Sequence, residues 1–377
     1  MTMITKVTRS RFAGMAGYSL IEMMVAMGVT TAVMGATMTG LADVSKGSEM
    51  VLQVTEMNKS LRSGMDLIER DMLQVGSGLP PGHVINIPTG TGSSSIRFPG
   101  PPGTAFVSVA NDPDISAVEP RPNLGPVING VATDVLIVLM ADNAFLDVPI
   151  SAITGTSATI SLGPNIATGP DRVTPGQLMM IWKGSITTLV EVTDVDTSTR
   201  RLTFSNSDSL NLNQSGAAAG NLPFLNAQAP AFAYTLATNT SNTLITRIRM
   251  ISYYLDATTD PTHPRLVRRI NNGSPTTFDN TSGTAVGMDI ENLRFRFDLN
   301  DGNTNPASVQ MNATDLTTGG ACAPAACSTN QIRKVDIVLT ARSRNAMIPK
   351  ARSFHNSLNS QVSLRGMAFV DEYLNAF

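Results

Sequence analysis

The 377-residue sequence predicts an α+β fold, in which the second half of one long N-terminal helix packs on a large antiparallel β-rich globular domain. Three observations support this prediction. An uncharged apolar run extends from Met23 to Ala42. Apolar residues then recur at intervals of three and four as far as Val75, which is the pattern of one helix face. Short segments of alternating polar and apolar residues follow, separated by Gly and Pro residues that favour turns.

The first element is a short basic leader followed by an apolar helix. Residues 1–17 carry Lys6, Arg9 and Arg11 and no acidic residue. Basic residues that flank an apolar helix stay in the cytoplasm, so the rest of the chain is expected on the other side of the membrane. At 1.5 Å per residue, residues 18–42 are long enough to cross the hydrocarbon core of a bilayer.

An ordinary cleaved signal peptide and a plain signal anchor are the alternatives for this segment. A signal peptide has a shorter apolar region that ends at a small-x-small site, although Gly40-Leu41-Ala42 could serve as one. Neither alternative accounts for Glu22, since a carboxylate inside an apolar membrane helix costs free energy.

The run Gly17-Tyr18-Ser19-Leu20-Ile21-Glu22 before the apolar helix resembles the processing signal of the type IV prepilin superfamily. This resemblance implies cleavage between Gly17 and Tyr18 by a prepilin peptidase on the cytoplasmic face. It also implies N-methylation of Tyr18, where the family more often has Phe. Glu22 matches a glutamate of the family that neutralises the positive amino terminus of a neighbouring subunit inside the filament core. Such a buried pair can fix the register between subunits.

Within the apolar helix, Gly28, Gly35 and Gly40 are expected to be tolerated and to let neighbouring helices pack closely. The helix is predicted to continue as an amphipathic segment until Gly76 and Gly78 end it, which gives one helix from Tyr18 to Val75. The stripe that packs on the sheet comprises Val54, Met57, Leu61, Met65, Ile68, Met72 and Val75.

Downstream, two segments predict loops and ten predict strands. Residues 76–105 are dense in Gly, Pro and Ser, and residues 206–230 are of low complexity, so both are expected to be irregular. The predicted strands are 134–140, 159–162, 177–182, 187–195, 201–205, 243–255, 265–270, 289–299, 333–342 and 361–373.

Several of these later segments narrow the resemblance to PilW-type minor pilins, with part of the pattern shared by the J-type pseudopilins of type II secretion. The segments are 62–72 at the end of the helix, Tyr253-Tyr254-Leu255 with Leu266-Val267-Arg268-Arg269, 290–298, 335–343 and Val362-Ser363-Leu364-Arg365. The resemblance is scattered over both ends of the chain and barely covers residues 80–240.

The resemblance implies a minor pilin that takes part in type IV pilus assembly and primes or caps the filament tip through helix packing. Its partners would be major and minor pilins, the prepilin peptidase and the assembly platform in the inner membrane. The globular domain would be periplasmic before assembly and would then lie on the pilus at the cell surface. A J-type pseudopilin of type II secretion and a pilus-associated adhesin are the alternatives.

The domain organisation that follows has four parts. Residues 1–17 form the cleaved leader, 18–42 the transmembrane helix, 43–75 its amphipathic continuation and 76–377 the globular domain. Residues 76–240 are a possible subdomain of that globular domain.

Enzyme activity and nucleic-acid binding are not expected. The chain lacks a nucleophile elbow, a phosphate-binding loop and a dinucleotide fingerprint, and its net charge of −2 gives no basic stripe. His83, His263 and His355 lie far apart in the sequence and are expected to be surface histidines. No cofactor is expected, and burial in the sheet is the expectation for Trp182 and for the Tyr253-Tyr254 pair.

Two local features leave alternatives open. Cys322 and Cys327 fit a small disulfide loop if the domain is periplasmic, or else they are free thiols. Asp298, Asn300 and Asp301 place oxygen atoms as a weak candidate calcium site, but no Glu closes a twelve-residue loop. An Asx-rich turn after a strand is the preferred interpretation of these three residues.

Overall fold

A computed structural model gives the structure of the chain. It describes residues 17–79, 84–89, 96–101, 106–107, 114–160, 165–184, 186–206, 208–214, 220–228, 234–235, 240–241, 243–258, 260–271, 283–299, 309–310, 327–344 and 353–368. The chain forms two compact units, Met1–Gln53 and Val54–Phe377.

The α+β prediction is confirmed: one long N-terminal helix is followed by a large domain of antiparallel strands. The helix, α1, spans Leu20–Met72 and contains 53 residues. It is shorter than the predicted helix by two residues at its start and three at its end, where turns follow. Val75 nevertheless remains part of the core because it is fully buried beside the helix end.

The described strands and short helices follow α1 in chain order. The first strands are β1 (Val84–Asn86), β2 (Arg97–Phe98), β3 (Phe106–Val107), β4 (Asp114–Ser116), β5 (Val118–Arg121), β6 (Val127–Ile128), β7 (Val131–Ala132), β8 (Val135–Ala141), β9 (Val148–Ile153), β10 (Ser157–Ile160), β11 (Leu178–Lys183), β12 (Ile186–Glu191), β13 (Asp194–Asp196) and β14 (Arg201–Thr203). There follow α2 (Leu222–Gln228), β15 (Tyr234–Thr235), β16 (Thr240–Ser241), β17 (Leu244–Asp256), β18 (Arg265–Ile270), β19 (Thr284–Met288), β20 (Ile290–Leu299), β21 (Val309–Gln310), β22 (Cys327–Ser328), β23 (Ile332–Arg342), β24 (His355–Ser363) and α3 (Arg365–Ala368).

The 13-residue strand β17 organises the largest sheet. Along one edge it pairs first with β11 and then with β18, and along the other it pairs with β9 and then with β8, all antiparallel. Tyr254 lies opposite Val267 and Leu255 opposite Leu266, which confirms the strand pair predicted from those two segments. Both Tyr253 and Tyr254 are buried, as expected.

The strand β8 is buried on both faces because the two faces of the large sheet cover different clusters. Leu136, Val138 and Met140 point into the cluster that contains α1. The alternate residues Val135, Ile137, Leu139 and Ala141 point into a second cluster on the opposite face. Its continuous apolar sequence therefore reflects burial on both sides. A third cluster contains residues of β9 to β14 and α2.

A second sheet has the order β20-β23-β24, and the amphipathic part of α1 lies between it and the large sheet. Buried residues of β20 and β23, such as Phe295 and Ile337, join the same cluster as Leu61 and Met65 of the helix. A Cβ atom at Gly64 would lie 2.7 Å from Leu266 Cδ2, so glycine at this position allows the helix to approach the sheet closely. The predicted stripe from Val54 to Val75 is thus core packing.

The bounds predicted for the last strand are wrong. The last described strand is His355–Ser363 instead of 361–373, because its partner β23 begins at Ile332 and the pairing ends at Leu364. Residues 369–373 of the predicted strand lie outside the described residues. The short helix α3 follows, where Gly366 lies so close to Val75 that a Cβ atom would clash with the Val75 carbonyl.

The two segments predicted to be irregular also contain order. Residues 76–105 include β1 and β2, whose Ile85 and Phe98 are buried in the second cluster. Residues 206–230 include α2, and their Leu210 and Leu212 are buried. Their composition predicted irregular structure because most of their residues are polar or small. The few apolar residues are nevertheless buried in the core, and ordered elements form around them.

The end of α1 is held to the large sheet by a buried polar cluster. Arg268 donates two hydrogen bonds to the Asp71 carboxylate, at 2.6 and 3.1 Å, and Tyr253 Oη donates to the same carboxylate at 2.5 Å. Burial and the neighbouring Asp71 charge raise the pKa of Tyr253, so the hydroxyl remains protonated and acts as a donor. A bidentate Arg–carboxylate pair is among the stronger polar contacts in proteins.

We predict that Arg268→Met destabilises the globular domain by on the order of 3 kcal/mol, because it leaves the buried Asp71 carboxylate without its cation. Chemical unfolding of the full chain in detergent micelles, followed by circular dichroism, measures the change. Arg70→Met is the control, since Arg70 is exposed one residue before Asp71 on the same helix. Equal stability of the two variants would contradict a structural role for the Asp71–Arg268 pair.

Two buried carboxylates hold the loop after β14 against the end of β12. The Ser209 hydroxyl donates to Glu191 at 3.0 Å, and Asp208 accepts hydrogen bonds from the backbone N–H groups of Leu212 and Asn213. Burial and the Asp208 charge raise the pKa of Glu191 to about 7. Burial likewise raises the pKa of Asp208 to about 6.

These shifts predict that the domain becomes less stable as pH rises. The folded chain binds the two protons more tightly than the unfolded chain, so the free energy of unfolding falls between the ordinary carboxyl pKa values near 4 and the folded value of about 7. Glu191→Gln is expected to reduce the loss in thermal midpoint between pH 5 and pH 8. Glu56→Gln, at an exposed position of α1, is the matched control and is expected to keep the parent's pH dependence. An unchanged pH dependence in Glu191→Gln would refute this account.

Candidate functional site

The start of α1 is closed by a reciprocal pair of hydrogen bonds between Ser19 and Glu22. The Glu22 N–H donates to Ser19 Oγ at 3.2 Å, and the Ser19 N–H donates to Glu22 Oε2 at 3.1 Å. This Ser-x-x-Glu arrangement is a capping box, which satisfies two N–H groups that the first helical turn leaves without partners. Glu22 therefore also caps its own helix. The sequence interpretation missed this role, although the Ser-x-x-Glu pattern at positions 19–22 indicates it.

The surface of α1 that follows Ser19 is apolar and exposed. By its length and composition the helix could cross a membrane, and its most apolar stretch is not buried by the other residues that the structure describes. The large exposed apolar residues here are Leu20, Ile21, Met23, Met24, Val25, Met27, Val29, Val33, Met34, Met38 and Leu41. Continuous exposed apolar surface of this kind marks a site of membrane or protein contact.

The threonine hydroxyls of this segment are satisfied inside the helix. Thr30, Thr31 and Thr39 each donate to the backbone carbonyl four residues earlier, at 2.7 to 2.8 Å. Thr37 donates to the carbonyl three residues earlier, at 3.0 Å. Because polar groups in hydrocarbon must find partners within the protein, this arrangement suits an apolar environment.

One face of the same segment carries small residues at intervals of four. Gly28, Ala32, Ala36 and Gly40 lie in a row along the helix. A Cβ atom built at Gly28, Gly35 or Gly40 would meet nothing within 4 Å. Rows of small residues let two helix backbones approach closely in a membrane.

The other candidate residues do not converge on a second site. His263 Nδ1 lies 2.7 Å from Asp289 Oδ1, and His355 Nδ1 lies 2.5 Å from Glu291 Oε1. Among the residues that the structure describes, no group of three or more His, Cys, Asp or Glu side chains could hold a metal ion. His83 lies outside the described residues.

The structure describes only part of the cysteine pair and of the candidate calcium site. Cys327 belongs to β22, which pairs parallel with β21, while Cys322 lies outside the described residues. Asp298 lies near the end of β20 opposite Lys334, while Asn300 and Asp301 lie outside. The disulfide and the calcium site therefore remain predictions.

Trp182 is only half-buried, whereas burial was expected. Its indole N–H donates to Asp147 Oδ1 at 3.2 Å, so the side chain is held at the sheet surface by a polar contact.

Comparison with known proteins adds no relative. No family model matches the chain, and neither the curated proteins nor the solved structures contain a match.

Proposed function

We propose that this chain is a type IV prepilin of the minor pilin class, which is anchored in the inner membrane by α1 and enters a filament by helix packing. The observation that carries the proposal is the start of α1. A capped helix begins three residues after Gly17 and continues as exposed apolar surface, in which Glu22 is the only carboxylate before Asp43. Soluble monomeric domains rarely expose such a large apolar surface, whereas a membrane and then a bundle of neighbouring helices would cover it.

Glu22 has two roles in this proposal. Before assembly its carboxylate accepts the Ser19 N–H, which keeps the charge in a hydrogen bond at the membrane surface. During assembly it exchanges that neutral donor for the positive amino terminus of Tyr18 on a neighbouring subunit. A charged donor forms the stronger bond in an apolar core, so the exchange would favour the assembled state. The globular domain would then prime or cap the tip of the filament.

Two substitutions separate these roles because Gln can replace Glu in a capping box, whereas it cannot neutralise a cation. We predict that Glu22→Gln reduces filament incorporation by an order of magnitude or more. The reason is that a hydrogen bond between Glu22 and the charged amino terminus of the neighbouring subunit contributes roughly 1.5–3 kcal/mol. Ser19→Ala weakens the cap by about 1 kcal/mol and keeps the charge, so it should retain most incorporation.

The measurement is quantitative immunoblotting of sheared surface filaments against the membrane fraction, for each variant and the parent. Normal incorporation of Glu22→Gln together with failure of Ser19→Ala would show that Glu22 acts only as a cap. That result would contradict the assembly role. Equal total protein and equal processing in all strains are required for the comparison.

A deletion strain distinguishes a pilus subunit from a type II secretion pseudopilin. A strain that lacks the chain should lose surface filaments and keep its secreted enzymes if the chain is a minor pilin. Loss of secretion with normal filaments would assign it to a secretion system instead.

A further inference from the structure

The tip of the β6-β7 hairpin is the dipeptide Asn129-Gly130. Ile128 pairs with Val131, so these two residues form the whole turn. Their φ angles are 51° and 80°, in the left-handed region that a two-residue hairpin turn requires and that Asn and Gly adopt readily. Both residues are exposed, so the fold presents an Asn-Gly pair to water at the end of a tight hairpin.

A side-chain contact holds this tip against the β20-β23-β24 sheet. Asn129 Nδ2 donates to Glu291 Oε2 at 3.0 Å, and the other carboxylate oxygen of Glu291 lies 2.5 Å from His355 Nδ1. Ile128, next to the tip, is buried in the core cluster that contains α1. The contact requires the amide, because a carboxylate at position 129 has no N–H to donate and would face the Glu291 carboxylate.

The backbone nitrogen of Gly130 is open to reaction with the Asn129 side chain. Among the residues that the structure describes, none accepts a hydrogen bond from the Gly130 N–H. A Cβ atom built at Gly130 would meet nothing within 4 Å, so the space around the residue is open. Because glycine has no side chain, its nitrogen can approach the amide carbon of the preceding residue with little steric hindrance.

We propose that Asn129 is a site of spontaneous deamidation, and that this modification releases the tip of the β6-β7 hairpin from Glu291. The modification would weaken the hairpin progressively as the protein ages. It concerns the globular domain and is independent of Glu22 and of the filament proposal.

The reaction needs only water. The Gly130 nitrogen gives its proton to hydroxide and attacks Asn129 Cγ, the Cγ–Nδ2 bond breaks, and the amide nitrogen takes a proton from water and leaves as ammonia. This closes a succinimide ring. Water then opens the ring at Cγ to give aspartate, or at the main-chain carbonyl carbon to give isoaspartate. The net change is one amide and one water converted into one carboxylic acid and one ammonia.

Both products place a carboxylate where the amide donated its hydrogen bond. The Glu291 side chain is only 11% exposed, so water screens its repulsion of a second carboxylate less than it would on an open surface. Isoaspartate also lengthens the main chain inside a two-residue turn, which disturbs the pairing of Ile128 with Val131. The tip should therefore move away from the sheet after either product forms.

The first test measures the reaction in the full chain, in detergent micelles at mildly alkaline pH, where hydroxide is more abundant. Mass spectrometry of proteolytic peptides compares Asn129 with Asn123, which is also exposed with a positive φ but precedes Leu124. Peptide mapping separates both from Asn272-Gly273, which lies outside the described residues. We expect Asn129 to convert roughly tenfold faster than Asn123, because Leu hinders the attacking nitrogen.

Gly130→Asn is the matched variant, since Asn tolerates a positive φ while its side chain hinders the same nitrogen. It should slow conversion of Asn129 by a similar factor. Amide hydrogen exchange of the fresh variant should match that of the fresh parent, which shows that the turn is intact. Equal conversion at Asn129 and Asn123, or in the parent and Gly130→Asn, would overturn the assignment of the site.

The second test measures the release of the tip with Asn129→Asp, which reproduces one product. We expect amide hydrogen exchange of residues 127–132 to become several-fold faster than in the parent. Glu291→Gln should remove most of this difference, because the repulsion requires both carboxylates. Unchanged exchange in Asn129→Asp, or the same acceleration in the Glu291→Gln background, would contradict release by charge repulsion.

Discussion

The domain depends on one helical stripe that fills the space between two sheets. Met57, Leu61, Met65, Ile68 and Met72 are each almost completely buried, and they contact residues of both the large sheet and the β20-β23-β24 sheet. Each sheet would expose an apolar face without this stripe. Burial of each such side chain stabilises the folded domain by roughly 1.5–3 kcal/mol. The helix therefore stabilises the packing of both sheets. The buried pair of Asp71 and Arg268 then fixes the position of the helix end along the sheet.

The environment of this helix differs between its two halves, and the proposed function depends on that difference. Residues from Val54 onward alternate buried and exposed positions, as an amphipathic helix does. Residues 20–52 are exposed all round and are uncharged from Met23 to Ala42, with the threonine hydroxyls of that run bonded to the helix itself. Such a surface is compatible with a membrane anchor. The proposal of a prepilin follows from this contrast and from the short motif before it.

Sequence periodicity predicted the long helix and long strands such as β8, β17 and β23, because each depends on a local pattern of apolar residues. The strand Arg265–Ile270 was predicted with its observed ends. The polar strand His355–Ser363 was placed too late in the chain, since its length is decided by the partner strand and not by its own residues. The Asp71–Arg268 pair joins residues 197 positions apart, which no local pattern indicates. At the candidate site, the processing motif identified Glu22 as a candidate assembly residue. Its hydrogen bonds with Ser19 were not predicted, although the two residues are only three positions apart.

We propose that cleavage after Gly17 frees the amino group of Tyr18 and that the mature chain then enters a filament through its apolar helix. Intact mass spectrometry of the mature protein, purified from cells that contain a prepilin peptidase, tests this directly. The account predicts a chain that begins at Tyr18 and carries one N-methyl group, with residues 1–17 absent. A chain that retains residues 1–17, or one cleaved after Ala42 as a signal peptide would be, would contradict it.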